Sequence, residues 1–149
     1  MVDIVERQPY AALRRARQLV LIDATGHALG PVSEADAKSM LLISGAGVGG
    51  TQVEALTALL DAAPALRQQV GEADWVGNRR WDLTFKTGQV LRLPQGPGKS
   101  ADALMEFAKA DGRYRLIGGN VVTFDMRNAP RMYLQVPGRA KAALESRGT

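Results

Sequence analysis

One alternating segment limits what this chain can fold into. Between residues 80 and 86, apolar side chains alternate with polar ones, the apolar set being Trp81, Leu83 and Phe85. This is the period-two pattern of a strand that buries one face. Thr87-Gly88 then leads directly into residues 89–93, which predicts a hairpin. A hairpin of this kind has to cover its apolar face, and a layer of helices is a common way to do so.

The rest of the pattern extends this hairpin into an α+β fold. Further strands are predicted over Val2 to Arg7 and over residues 18–23, 40–44, 70–76, 121–126 and 131–136. The last two form a hairpin-like pair. Helices are predicted over residues 51–62, with a short turn at 65–70, and over residues 100–110, with Ser100 as its cap and Asp111-Gly112 as its stop. We therefore expect a mostly antiparallel sheet with two main helices packed on one face.

Composition excludes several function classes. The net charge of +4 lies in residues 1–17 and 137–149, which leaves residues 18–136 neutral and without the basic, aromatic stripe of a nucleic-acid groove. There is no cysteine and one histidine, His27, so we expect neither a metal site nor thiol or histidine-dependent catalysis, and no catalytic residue is assigned. No apolar run approaches the roughly 18 residues of a membrane span.

A glycine-rich loop keeps one alternative open. Gly45-Ala46-Gly47-Val48-Gly49-Gly50 matches G-x-G-x-x-G between a predicted strand and a predicted helix. The dinucleotide fold requires a buried parallel strand next, whereas residues 64–74 are polar, which predicts that this context fails. A nucleotide-binding protein or enzyme that uses Gly45 to Gly50 is the alternative hypothesis.

Five segments, in order and covering residues 2–136, resemble the extracytoplasmic β domain of FtsQ-type (DivIB-like) bacterial cell division proteins. They are Val5-Glu6-Arg7-Gln8-Pro9-Tyr10-Ala11, Leu21-Ile22-Asp23-Ala24-Thr25-Gly26, Leu41-Leu42-Ile43-Ser44-Gly45-Ala46-Gly47, Arg79-Arg80-Trp81-Asp82-Leu83 and Phe124-Asp125-Met126-Arg127. Leu42 stands where the family usually has proline.

The resemblance implies a role and a domain plan. Residues 1–136 would be the β domain, with a strand at residues 2–8 that continues from a missing POTRA domain and a frayed or disordered tail at 137–149. It implies the periplasmic domain of a single-pass inner-membrane protein. The role it implies is a non-catalytic divisome scaffold without a cofactor, which binds FtsB-like and FtsL-like proteins and links early and late septum-assembly proteins.

The partner site is predicted on the final strand. A terminal strand with one charged residue is an adhesive edge, suited to strand addition by an extended peptide. The resemblance points to the same strand and to the loop before it; together they supply Asn128, Ala129, Pro130, Arg131, Met132, Tyr133, Leu134 and Val136. The alternative is an edge closed by the tail.

Other residues near this strand receive supporting roles. Arg79 and Arg80 are candidates for meeting an acidic partner side chain. Structural roles are assigned to Asp125, Arg127 and Trp81. Asp125 and Arg127 lie two apart on a strand and so share a face, and Arg80 or Arg79 is a candidate partner of Asp125.

Overall fold

A computed structural model describes residues 8–137 and 142–143 of the chain. In this part of the chain the strands are β1 Ala11–Arg15, β2 Gln18–Ile22, β3 Ala28–Pro31, β4 Leu41–Ser44, β5 Val70–Val76, β6 Arg80–Phe85, β7 Val90–Arg92, β8 Thr123–Asp125, β9 Tyr133–Gln135 and β10 Ala142–Ala143. The helices are α1 Glu34–Ala37, α2 Gly50–Asp61, α3 Pro64–Arg67 and α4 Pro97–Tyr114.

All ten strands form one sheet, in the order β10-β9-β8-β7-β6-β5-β4-β1-β2-β3. Three neighbouring pairs are parallel, namely β1 with β4, β4 with β5, and β7 with β8, and the other neighbours are antiparallel. Two of these parallel pairs need long crossovers, which α2 supplies between β4 and β5 and α4 between β7 and β8. The expected α+β class with a mostly antiparallel sheet is confirmed.

The two long helices cover one face of the sheet. Their buried residues join the main core with the inward residues of the strands: from α2 Val53, Leu56, Leu59 and Leu60, and from α4 Ala103, Leu104 and Phe107. Ala12 points to the opposite face, where with Leu19 and Ala37 of α1 it forms a small second cluster. The predicted packing of two main helices on one face is therefore correct.

Helix α4 is longer than its pattern indicated, and the prediction that Ser100 caps it is wrong. The helix begins at Pro97, whose fixed φ suits a first turn. Ser100 lies inside the helix and is buried, where its Oγ donates to the carbonyl of Pro94 at 2.8 Å. The helix continues past Gly112 to Tyr114 and ends where Arg115 adopts a left-handed φ of 53°.

Strand β5 overturns the prediction that residues 64–74 cannot supply a parallel strand. It pairs in parallel with β4 and antiparallel with β6. Helices cover only one face of β5, so the exposed Glu72 and Asp74 keep their hydration on the uncovered face while Ala73 is buried on the other.

Strands β1 and β3 were not predicted from the sequence. The expected strand at residues 2–8 falls almost wholly on residues outside those described.

Candidate partner-binding site

The turn that follows β8 is held by a two-pronged ion pair. The Arg127 guanidinium donates from Nε to Oδ1 of Asp125 at 2.9 Å and from Nη2 to Oδ2 at 2.7 Å. The backbone N–H of Arg127 also donates to Oδ1, at 3.1 Å. Such a planar pairing fixes orientation as well as distance. Asp125 and Arg127 thus set the path of the chain out of β8.

The surroundings of Asp125 favour its charged form. Its partial burial alone would raise the pKa of this carboxyl, but hydrogen bonds from the Arg127 side chain and backbone, together with the charges of Arg127 and Arg92, hold the pKa below its ordinary value. The same pair raises the pKa of Arg127 above its ordinary value. Both side chains therefore stay ionised at neutral pH.

The structure separates Arg79 and Arg80 from Asp125. Arg80 is paired with Asp82, its neighbour two residues along β6, and both side chains are largely buried. Arg79 is exposed in the turn between β5 and β6. The expectation that one of these arginines pairs with Asp125 is wrong, since the local partner Arg127 occupies both carboxylate oxygens. Trp81 is 4% exposed and packs against Trp75, which agrees with a structural role.

The side chains of the last hairpin divide between two faces. Met132 and Leu134 are half-buried and pack against the main core. Tyr133 lies opposite Asp125 in the register of β8 and β9, on the uncovered face. Asn128, Ala129, Pro130 and Arg131 are exposed in the connecting loop, and Val136 is half-buried just after β9. Met132 and Leu134, which were expected to be available to a partner, therefore pack part of their surface against the protein's own core.

Strand β9 is not the outermost strand, which corrects the expectation of a free terminal edge. The two-residue strand β10 pairs with it antiparallel, with Ala142 opposite Leu134 and Ala143 opposite Tyr133. A short segment that covers an adhesive edge is one of the ways in which proteins protect such edges. The alternative of an edge closed by the tail describes this arrangement, while the rest of the expected frayed tail falls on residues outside those described.

A cleft that the sequence did not reveal lies beside the loop. It has a volume of about 560 Å³ and runs between α4 and residues 127–130. Charged side chains of both signs line it: Lys99, Asp102 and Glu106 from α4, and Arg127 from the loop. The spacing of these three helix residues places them on one side of α4, but only the fold shows that this side faces the loop.

The glycine-rich loop has the βαβ setting of a nucleotide site, but other residues of the protein occupy the space against its glycines. Residues 45–49 connect β4 to α2, and β5 follows in parallel. A side-chain carbon on Gly47 would lie 2.2 Å from Oδ1 of Asn78, and one on Gly45 would lie 2.3 Å from the carbonyl oxygen of Trp75. The same Oδ1 accepts the indole N–H of Trp75 at 2.8 Å. These glycines admit the protein's own Asn78 and Trp75 where a phosphate would have to approach.

The described part of the chain has neither a cluster of metal-ligating side chains nor a membrane-spanning helix. Among residues 8–137, no group of three or more histidine, aspartate or glutamate side chains is arranged to hold a metal ion. No helix in the described part of the chain has the length and apolar character needed to cross a bilayer.

Comparison with known proteins places this chain in a defined class, the bacterial cell division proteins. Residues 11–127 match the family model described as cell division protein FtsQ/DivIB, C-terminal. The chain belongs to this family, as the five sequence segments indicated. It is 58% identical over 148 residues to cell division protein FtsQ of Novosphingobium aromaticivorans and 39% identical over 127 residues to that of Zymomonas mobilis.

The chain spans less than half the length of these relatives. It covers 46% of the Novosphingobium protein and 40% of the Zymomonas protein, while those alignments include 99% and 85% of the chain itself. A solved structure, the major extracytoplasmic domain of the trans isomer of DivIB from Geobacillus stearothermophilus, aligns over 77% of the chain and 99% of its own length, with 12% identity and a TM-score of 0.48.

Proposed function

We propose that this chain is a non-catalytic scaffold domain of the divisome that binds FtsB-like and FtsL-like proteins. An extended segment of the partner adds to the outer edge of β9 and continues over the loop at residues 128–130. In this proposal the domain lies in the periplasm as part of a single-pass inner-membrane protein and links early and late septum-assembly proteins.

The observation that carries the proposal is the weak cover on β9. Only two residues of β10 pair with it, opposite Tyr133 and Leu134, and two-residue pairing offers little resistance to displacement. Main-chain hydrogen bonds would supply most of the affinity of an added strand. The exposed loop residues Asn128 to Pro130 and the cleft beside α4 would supply side-chain contacts. Membership of a cell division family supports the same class of partner.

Proline substitutions in β9 test strand addition. Tyr133→Pro and Leu134→Pro each remove one backbone donor, and because successive N–H groups of a strand point in opposite directions, one of the two variants removes an outward donor. We expect that variant to bind a peptide from the FtsB-like protein of the same genome at least tenfold more weakly, measured by calorimetric titration. Circular dichroism and thermal melting check that each variant remains folded.

A matched control separates edge binding from side-chain contact. Tyr133→Ala keeps the backbone donor while it removes the aromatic ring, so under strand addition it should bind more tightly than the proline variant that lacks the outward N–H. If both proline variants stay folded and bind with parental affinity, β9 is not the binding edge and the proposal is wrong.

Shortening the chain tests the competition between β10 and the partner. A chain that ends at Pro137 lacks β10, so the edge of β9 is always free. Because the apparent dissociation constant rises as the competent fraction falls, we expect truncation to tighten peptide binding roughly two- to tenfold. A chain that ends at Ala143 keeps β10 and serves as the control. Unchanged or weaker binding by the shorter chain would show that the partner does not take the place of β10.

A further inference from the structure

A second surface, away from β9, has the form of a docking site. It is a groove of about 550 Å³ between α2 and the N-terminal part of α4, and the turn between β5 and β6 also lines it. Strands β7 and β8 lie between β6, which contributes to the groove, and β9. With about 4.8 Å between neighbouring strands, β6 and β9 lie roughly 14 Å apart. We call this surface the α2–α4 groove.

The floor of the groove is aromatic. Trp75 and Trp81 line it, with ring centroids 4.9 Å apart and planes inclined by 52°. The indole N–H of Trp75 is already satisfied by Asn78 at 2.8 Å, so the floor offers ring faces and edges, with no unmet donor from Trp75. Trp75 remains half-exposed although it packs against the main core. Such a floor favours apolar side chains.

Small side chains keep the groove open. On the α2 wall Ala55 and Ala58 are exposed, and on the α4 wall Gly96 and Ala101 present little bulk. The core-facing residues of α2 are Val53, Leu56, Leu59 and Leu60, of which only Leu59 also lines the groove. Ala55 and Ala58 therefore do not serve the core, whereas Ala101 packs against it. A groove between two helices is a common receptor for an apolar side of a short protein segment.

The charge of the residues that line the α2–α4 groove favours an acidic partner segment. Arg79 is the cationic residue that lines the groove, and no acidic residue lines it. In the described part of the chain Arg79 has no ion-pair partner, whereas Arg80 beside it is neutralised by Asp82. A partner that brings a carboxylate to Arg79 while it buries apolar side chains on the tryptophans would complement both features.

We propose that the α2–α4 groove binds a protein segment that carries one or two large apolar side chains next to an acidic one. The apolar side chains lie on Trp75, above the buried Trp81, between Ala55, Ala58 and Ala101, and the carboxylate pairs with Arg79. This site goes beyond strand addition at β9 and does not depend on it, so the domain holds two partner segments on separate surfaces.

Selection from a random library of 12-residue peptides displayed on phage tests this site. The library is selected on the parental chain and counter-selected on Ala58→Met, whose longer side chain fills the groove at an exposed position of α2. We expect the enriched peptides to carry an acidic residue within four positions of a leucine, phenylalanine or similar residue. Because the groove contains both tryptophans of the chain, their binding should shift the intrinsic tryptophan emission.

Variants then locate the bound peptides. Arg79→Glu and Ala58→Met should each weaken binding at least tenfold, while Arg113→Glu and Ala65→Met, exposed positions away from the groove, should leave it unchanged. The proline variants of β9 should also leave it unchanged, which distinguishes this site from the proposed FtsB-like site. Thermal melting confirms that each variant is folded.

Three results would overturn the proposal. One is that no peptide is enriched on the parental chain over Ala58→Met. Another is that the enriched peptides are basic or lack apolar residues. The third is that folded Arg79→Glu and Ala58→Met both bind the enriched peptides as the parental chain does, whether or not changes in β9 abolish that binding.

Discussion

Phe107→Ala is expected to lower the free energy of unfolding by about 4 kcal/mol, within the range for large-to-small changes of a buried aromatic residue. Phe107 is fully buried at the centre of α4. Its ring stacks on Phe85 of β6, with centroids 5.6 Å apart, and meets Phe124 of β8 edge-on at 4.9 Å. Truncation would remove both ring contacts and leave a cavity between the helix and the sheet. Chemical denaturation monitored by circular dichroism measures the loss.

Met105→Ala is the matched control for this change. Met105 lies on the same helix but is 41% exposed, so its truncation should cost well under 1 kcal/mol. For a domain of this size the Phe107→Ala variant should melt roughly 8–16 °C below the parental chain. A variant that melts within 2 °C of the parental chain would mean that α4 does not pack on β6 and β8 through this ring.

The position of Phe107 connects core packing to the proposed partner surface. Helix α4 is the crossover between the parallel strands β7 and β8, and its outer side forms one wall of the cleft beside residues 127–130. Loosening α4 would therefore shift that wall relative to the Asp125–Arg127 turn. We expect partner binding to weaken with stability in this variant, while the chemistry of the edge of β9 stays intact.

The strand around Trp81 could be predicted from the sequence because burial on one face alone determines its pattern of apolar residues. One face of β6 is covered by helices and the other is not, so burial alternates along it without exception. The stripe of α2 is equally clear for the same reason. For strand β5 the prediction failed only on its direction of pairing. Its polar residues Glu72 and Asp74 argued against a parallel strand, but one face of β5 is uncovered and accommodates them.

Features that depend on long-range pairing could not be derived from local pattern. Ser100 resembles a helix cap, yet Pro97 begins the helix earlier and the Ser100 hydroxyl turns to the carbonyl of Pro94. Strand β3 is short and rich in small residues, so its pairing with β2 is decided by the turn at residues 23–27. Helix caps and short edge strands are settled by competing tertiary contacts.

The candidate site shows the same division. The sequence predicted structural roles for Asp125 and Arg127 on one face, but it did not pair them with each other; the structure joins them in one ion pair. The sequence also placed Arg80 near Asp125, which fails because Asp82 is closer along β6. The cover on β9 by β10 was predicted only as the alternative to an open edge, and the α2–α4 groove was not predicted, since each joins residues far apart in the chain. The order of the sequence motifs was sufficient to predict the family, whereas the groove and the cover on β9 could be located only in the structure.

Asp125→Ala is expected to lower the free energy of unfolding by about 2–3 kcal/mol, the scale of hydrogen bonds that involve charged groups. The carboxylate accepts hydrogen bonds from Nε, Nη2 and the backbone N–H of Arg127. The side chain of Asp125 is 11% exposed and that of Arg127 is 42% exposed, so the freed arginine regains water and the loss stays below that of a fully buried pair. Thermal and chemical denaturation at pH 7 measure the loss.

The pH dependence of Asp125→Asn gives an independent check on the same pair. Because folding lowers the pKa of Asp125, the ionised carboxyl stabilises the parental chain above the pKa of the unfolded state, and this contribution is lost as pH falls through the folded-state pKa. The stability gap between the parental chain and Asp125→Asn should therefore be full at pH 7 and shrink below about pH 4. Asp102→Asn, an exposed aspartate of α4, should show a much smaller gap at every pH. A stability gap that stays constant from pH 7 to pH 3 would contradict the ion pair.

An Asp125→Ala chain that melts like the parental chain but no longer binds the FtsB-like peptide would make Asp125 a contact residue of the partner surface instead of a structural one.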